Sequence, residues 1–263
     1  MIEQTWLLLL IGAAAASALM LLLWLVQLRI GNASHVDVGW AYGLVGLAGL
    51  YALLGDGGVT QRVLVAGLGA VWGMRLGTYV LGRVVGHPED GRYQELRRRW
   101  APHAQRRFFV FFQAQAGFVA VFSVPFLLVA QDGGDPSPLL WLGAALALAC
   151  VAGETAADAQ LALWKADPAN RGTTARLGLW GWSRHPNYFF EWLHWVGWAL
   201  AALGSPHGWI ALAVPAFLLF LLFRVTGIPE TEAQGVRSRG EDYRRYQREV
   251  SVFVPLPPKK RAA

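Results

Sequence analysis

Residues 179–192 read Leu179-Trp180-Gly181-Trp182-Ser183-Arg184-His185-Pro186-Asn187-Tyr188-Phe189-Phe190-Glu191-Trp192. The stretch opens a long apolar segment, yet its first polar residues are Ser183, Arg184 and His185, followed by Pro186. Proline is at home in the first turn of a helix, where its missing N–H leaves no bond unmade. A helix starting near Pro186 puts Asn187, Glu191, His194, Trp195 and Trp198 on one stripe, at i, i+4, i+7, i+8 and i+11. That stripe carries a carboxylate into a segment greasy enough for lipid. Ionisable residues inside a membrane segment are costly and usually face a protein interior or a wet cavity. The stripe therefore reads as part of a site.

Composition supports the membrane setting. Of 263 residues, 55% are hydrophobic and 15% charged, and 13 are Trp; a soluble domain carries roughly a quarter charged residues. The runs Trp6–Val26 and Ala211–Phe223 are too apolar for a soluble core. The expected fold is all-α: a polytopic membrane bundle of seven transmembrane helices forming a single domain over 1–263. The first apolar segment has an acidic flank and no basic region ahead of it, so it reads as a retained span and not as a signal peptide. One cysteine, Cys150, excludes an internal disulfide and argues against a cysteine-based metal site.

The seven spans fall at 5–27, 38–54, 63–82, 108–130, 139–163, 187–204 and 209–226. Of the 23 Lys and Arg, all but Arg62 and Arg75 lie in segments on one side of this arrangement, seven of them Arg in the loop 83–107. The positive-inside rule then predicts an outside N-terminus and a cytoplasmic C-terminus. The net charge of +6 thus reflects topology, and no nucleic-acid partner is expected. The localisation that follows is an integral membrane protein with a site opening to the cytoplasm.

Several polar positions can join the stripe at the same end. Asp37 and Trp40 enter span 2; an N-cap and an interfacial Trp would explain them equally well. Span 3 carries Trp72, Arg75, Tyr79 and Arg83 on one face. Arg83 can snorkel, but Arg75 is about two turns deeper and needs an anionic partner or a wet pocket. The segment from His87 to Trp100 reads as a short amphipathic helix lying on anionic headgroups. Glu154, Asp158 and Lys165 share a face at the end of span 5, where two like charges at i, i+4 repel unless they grip a ligand or pair with cations. The segment 239–248 reads as a polar helix over the cytoplasmic end.

No P-loop, HExxH, GxSxG or Rossmann fingerprint is present, and no histidine or carboxylate spacing suggests a metal, so none is expected. Gly67-Leu68-Gly69 lies inside an apolar helix and reads as a close-packing element. The remaining inventory of Arg, Lys, Asn, Tyr and carboxylates suits an anionic, hydroxyl-rich cofactor beside a hydrophobic substrate.

The run Gly178–Glu191, with Trp195 beyond it, resembles the C-terminal domain of steroid 5-alpha-reductases, closest to the bacterial branch, and shares Ser-Arg-His-x-Asn-Tyr with sterol C14- and C7-reductases. The likeness covers spans 5–7 well, span 3 loosely and spans 1–2 hardly at all. It implies a seven-helix membrane reductase that uses NADPH to reduce the C4–C5 double bond of a 3-oxo-Δ4-steroid or similar lipid enone, the hydrophobic substrate entering from the bilayer lipids. By that analogy Asn187, Glu191 and Trp195 contact the nicotinamide end. Glu154, Asp158 and Lys165 match an Asn, an Asp and an Arg that hold the adenosine and phosphate parts, Glu154 departing from the family's Asn. Arg224 matches an Arg on the pyrophosphate, and Arg75 and Tyr79 match cofactor-lining positions. Arg171, Arg184, His185, Tyr188, Tyr243 and Tyr246 complete the implied cofactor set. The family polarises the 3-keto group with a Glu and a Tyr from spans 2 and 3. Here Asp37 is the candidate acid, and Tyr42, Trp72 and Tyr79 are the neighbouring catalytic candidates.

Isoprenylcysteine and phospholipid methyltransferases carry a similar Arg-His-Pro-x-Tyr run. Together with Glu230 and Glu232 this keeps open a second reading: S-adenosylmethionine-dependent methyl transfer to a lipid or prenylcysteine. Asn187 within the motif and the Glu154/Asp158/Lys165 face argue against it. A transporter or lipid-binding bundle is the third reading; broken helices near the midplane would be its mark, whereas the polar positions here crowd one end. The reductase reading also requires a void able to take a dinucleotide.

Overall fold

The computed structural model describes residues 2–225 and 227–259. Among these the chain is helical, with no strand and one isolated bridge between Ser183 and Ser251. It divides into two compact units, Met1–Trp141 with Leu200–Ala211, and Leu142–Ala199 with Leu212–Ala263.

The first unit contains α1 (Ile2–Ile30), α2 (His35–Leu54), α3 (Val59–Val84), a short α4 (Gly91–Arg99), α5 (Ala104–Phe122) and α6 (Val124–Ala130). Helices in lipid gain nothing by hiding apolar surface from water, so close approach and buried polar contacts hold them together. Both occur here. On α3, Gly69, Gly73 and Gly77 recur every fourth residue and face Ala48, Val45 and the Tyr42 ring of α2; a Cβ on Gly77 would come within 2.8 Å of that ring. Gly67, expected to serve the same purpose, has open space beside it. Helices α1 and α5 are joined by Ser17 Oγ donating to Gln113 Oε1 at 2.6 Å and Gln27 Nε2 donating to Gln105 Oε1 at 2.7 Å. The expected amphipathic loop helix is α4. It is N-capped by Asp90, which accepts from the Arg92 N–H at 2.9 Å, and packs on α5 through Trp100 against Phe108 and Tyr93 against Phe111.

The second unit holds most of α7 (Pro138–Ala166) and α8 (Pro186–Ala202), then α9 (Ala213–Phe220), a π-helical turn at Leu221–Val225, α10 (Ile228–Arg239) and α11 (Glu241–Glu249). Helix α8 starts at Pro186, as the sequence predicts. Here α7 and α8 approach until a Cβ on Gly197 would lie 2.8 Å from both the Gly143 carbonyl oxygen and the Ala147 nitrogen. Gly240, with φ +56°, makes the sharp joint between α10 and α11, and Gly235 leaves room for the Tyr243 ring to lie on α10.

Among the described residues, six helices are long and apolar enough to cross a membrane: Glu3–Ile30, His35–Leu54, Val59–Val84, Ala104–Ala130, Pro138–Ala166 and Gly208–Arg239. Helix α8, the other expected span, has 17 residues and is shorter than the roughly 20 that a crossing takes.

Candidate functional site

The stretch that opens α8 is fixed by its own backbone and by the chain's C-terminal segment. A 3-10 turn at Gly178–Gly181 leads into Ser183, whose Oγ accepts from the His185 N–H at 3.1 Å and donates to the Phe253 carbonyl at 2.7 Å. The Arg184 N–H donates to the Ser251 carbonyl at 2.8 Å. Around this entry Glu232 of α10 acts as a hub. It accepts Arg184 Nε and Nη2 at 2.9 and 3.1 Å, His185 Nε2 at 2.9 Å, Tyr243 Oη at 2.9 Å and Gln247 Nε2 at 2.5 Å. Since a carboxylate only accepts, His185 carries a proton on Nε2. Arg184 Nη1 donates to the Gln247 and Val250 carbonyls at 2.8 and 2.7 Å, so four of its five N–H bonds are taken. Tyr246 Oη donates to the Trp180 carbonyl at 2.5 Å, and the Tyr188 ring stacks on His185. Burial, reinforced for Tyr243 by the Glu232 carboxylate, holds the Tyr243 and Tyr246 phenols above their ordinary value, so both remain donors. Arg184, His185, Tyr243 and Tyr246 were expected to face a cofactor. Here their polar atoms hold α10, α11 and the C-terminal segment around the entry to α8.

The remaining expected residues of this unit fall into three places. On the α7–α8 face, Asn187 Nδ2 donates to Asp158 Oδ1 at 3.2 Å, and Trp195 Nε1 donates to Glu191 Oε1 at 2.9 Å. Glu154 and Asp158 are both buried. Further along the stripe, His194 is locked between Trp198, whose indole N–H can only donate to Nε2, and the Ala147 carbonyl at Nδ1; it is therefore the Nδ1–H tautomer, spent on packing α8 against α7. Lys165 and Arg171 line a groove of about 220 Å³ with Trp164 and Arg239. Arg239, which sequence reasoning passed over, lies over the Tyr243 ring at 4.5 Å, and its Nε is buried without a hydrogen-bond partner among the described residues. Arg224 is exposed on the π-helical turn, apart from that groove.

In the first unit, Asp37 is gripped by α4: Tyr93 Oη donates to its Oδ1 at 2.6 Å and Arg92 Nη2 to its Oδ2 at 3.1 Å. The tyrosine paired with the acid is therefore Tyr93, and Tyr42, Trp72 and Tyr79 are engaged elsewhere. Tyr42 Oη is 3.4 Å from Thr78 Oγ1, and Trp72 is buried edge-to-face against Trp40. The Tyr79 ring lies 5.8 Å from the guanidinium carbons of both Arg75 and Arg83. Burial first, and the Asp37 carboxylate second, keep the Tyr93 phenol well above its ordinary value of 10.0. Tyr93 sits in a loop helix whose pattern spoke only of a membrane surface, so nothing in its local sequence tied it to Asp37.

Among the described residues no three His, Cys, Asp or Glu side chains gather as a metal site.

A profile described as a protein of unknown function (DUF1295) matches residues 23–250, and the chain belongs to that family. No curated protein and no solved structure gives a match.

Proposed function

We propose that the protein is a seven-span membrane reductase, N-terminus outside and C-terminus cytoplasmic, that uses NADPH to reduce the C4–C5 double bond of a 3-oxo-Δ4-steroid or similar lipid enone. The observation that carries this reading is the groove of Lys165, Arg171 and Arg239 beside Trp164. Three cationic side chains beside an indole suit a phosphate on a sugar that carries an aromatic base. At about 220 Å³ the groove is too small for the dinucleotide that this reading requires, and would hold only one phosphorylated end of it. Lys165, Arg171 and Arg239 would hold that end.

The bound cofactor would supply the hydride. The chain supplies the proton and the field. Tyr93 is kept neutral, and its one hydroxyl proton is held by Asp37 Oδ1; it becomes the donor to a substrate carbonyl oxygen only where that oxygen displaces Asp37 as its acceptor, and it would then stabilise negative charge as it develops there. Arg92 keeps the Asp37 carboxylate oriented towards α4.

One specific observation favours the methyltransferase alternative: Arg184 and His185 are both bonded to Glu232, an acid on which that reading relies. A thermal-shift measurement on detergent-solubilised protein separates the two. NADPH at about 100 times its Kd should add about 2.7 kcal/mol of stability, and Lys165→Ala with Arg239→Ala should weaken the shift. Stabilisation by S-adenosylmethionine and none by NADPH overturns the reductase assignment.

A further inference from the structure

A second groove in the same unit lies outside the cluster assigned to the cofactor. It encloses about 460 Å³, and its lining includes Arg176, Trp182, Arg245, Glu249 and Lys259, three cations to one carboxylate. Arg176 is anchored by Nη1 on Asp242 Oδ1 at 2.8 Å and Nη2 on the Asp242 carbonyl at 2.7 Å, which leaves its Nε buried without a partner among the described residues. Arg245 reaches Glu249 at 2.8 Å while its side chain stays 45% exposed. The Lys259 N–H donates to the Glu249 carbonyl at 2.9 Å, which ties the C-terminal segment across the groove. The sequence continues with Lys260 and Arg261.

The rim is apolar. Trp182 is 50% exposed, and Leu177, Val254 and Leu256 are exposed as well. Leu256 is pinned beside Trp182 by its N–H on the Trp182 carbonyl at 3.0 Å. Trp182 also stands four residues ahead of the first residue of α8, an apolar helix. Tryptophan and aliphatic side chains around a cationic pocket at the end of an apolar helix have the composition of a membrane–water interface. A soluble phosphate ester would call for the cations and leave that greasy rim unexplained.

We infer that this groove binds the phosphate headgroup of an anionic phospholipid, with Arg245 and Lys259 facing the phosphate and Trp182 and Leu256 lying along the glycerol and upper acyl chains. The inference does not depend on the reductase reading.

Native mass spectrometry on the full chain in detergent, titrated with phosphatidylglycerol or phosphatidylcholine of matched acyl chains, tests it. At about fivefold per basic side chain near a headgroup, the double variant Arg245→Ala/Lys259→Ala should lower the preference for phosphatidylglycerol roughly 25-fold. Arg245→Lys/Lys259→Arg should retain it. Both variants should melt within a few degrees of the parent, since the Arg245–Glu249 ion pair that the alanine variant removes is partly exposed. A preference unchanged in the alanine variant overturns the assignment. So does inorganic phosphate that displaces the lipid completely and stabilises the protein to the same extent, because the ligand would then be a soluble anion.

Discussion

Glu232 accepts from Arg184, His185, Tyr243 and Gln247, and its side chain and that of Arg184 are 13% and 11% exposed. Removing one member of a buried pair strands the other, which typically costs about 3–5 kcal/mol. Glu232→Ala should therefore destabilise the protein by about 3 kcal/mol, read as a lower melting temperature, whereas Glu232→Gln should be milder because it keeps one acceptor oxygen. If Glu232→Ala melts like the parent, the hub is not what holds the tail in place. The polar entry of α8 was legible from sequence because Ser183, Arg184 and His185 interrupt an apolar run. Their partner was not, since Arg184 and Glu232 are 48 residues apart and that pairing is a tertiary fact. Asp37 and Tyr93, 56 residues apart, pose the same problem. On the reductase reading Tyr93→Phe removes the proton donor and should lower kcat by about 10²–10⁴-fold. Cofactor-induced stabilisation should be unchanged, because Tyr93 does not line the groove assigned to the cofactor.

At the scale of helices, small residues decide which faces meet. Gly197 abuts α7 backbone, which cannot turn aside as a side chain can. Gly197→Leu should cost at least the 1–3 kcal/mol typical of overpacking, while Gly67→Leu, with open space beside it, should be nearly neutral. Equal melting temperatures for the two variants would refute this account of the α7–α8 contact. The sequence exposed the glycines but not their partners: Gly67 and Gly69 look alike in the chain, and only the facing Ala48 separates them. Helix α4 offers a pH test. Burial raises the Asp90 pKa, but hydrogen bonds from the Arg92 side chain and N–H outweigh it and hold the carboxyl below its ordinary 3.8. A depressed carboxylate contributes stability that is present above its unfolded pKa and is lost as pH falls through the folded value. The α4 cap should accordingly hold down to about pH 4 and weaken below it. Asp90→Ala should remove about 1 kcal/mol at neutral pH, and hydrogen exchange of the α4 amides measures both effects.

For the whole molecule, a crossing by α8 decides the side of the membrane on which the tail from Arg224 lies. At 17 residues and about 1.5 Å each, α8 is about 26 Å long, a few ångströms less than a hydrocarbon core of about 30 Å. Such a mismatch is met by local thinning of the bilayer at a fraction of a kcal/mol per ångström. The alternative is far less favourable. If α7 ends on the cytoplasmic side and α8 does not cross, the next apolar segment delivers the tail from Arg224 to Arg261, with its nine Lys and Arg, to the outside. That reverses the charge asymmetry which orients membrane helices. Crossing by α8 should therefore win, placing His207 outside and Lys259 in the cytoplasm. In a Cys150→Ser background, Asp135→Cys and His207→Cys should react with an impermeant maleimide in intact cells, and His87→Cys and Lys259→Cys only after permeabilisation. If instead His207→Cys is protected and Lys259→Cys reacts from outside, α8 lies on one side of the bilayer, and both the seven-span arrangement and the cytoplasmic assignment of the basic grooves fall with it.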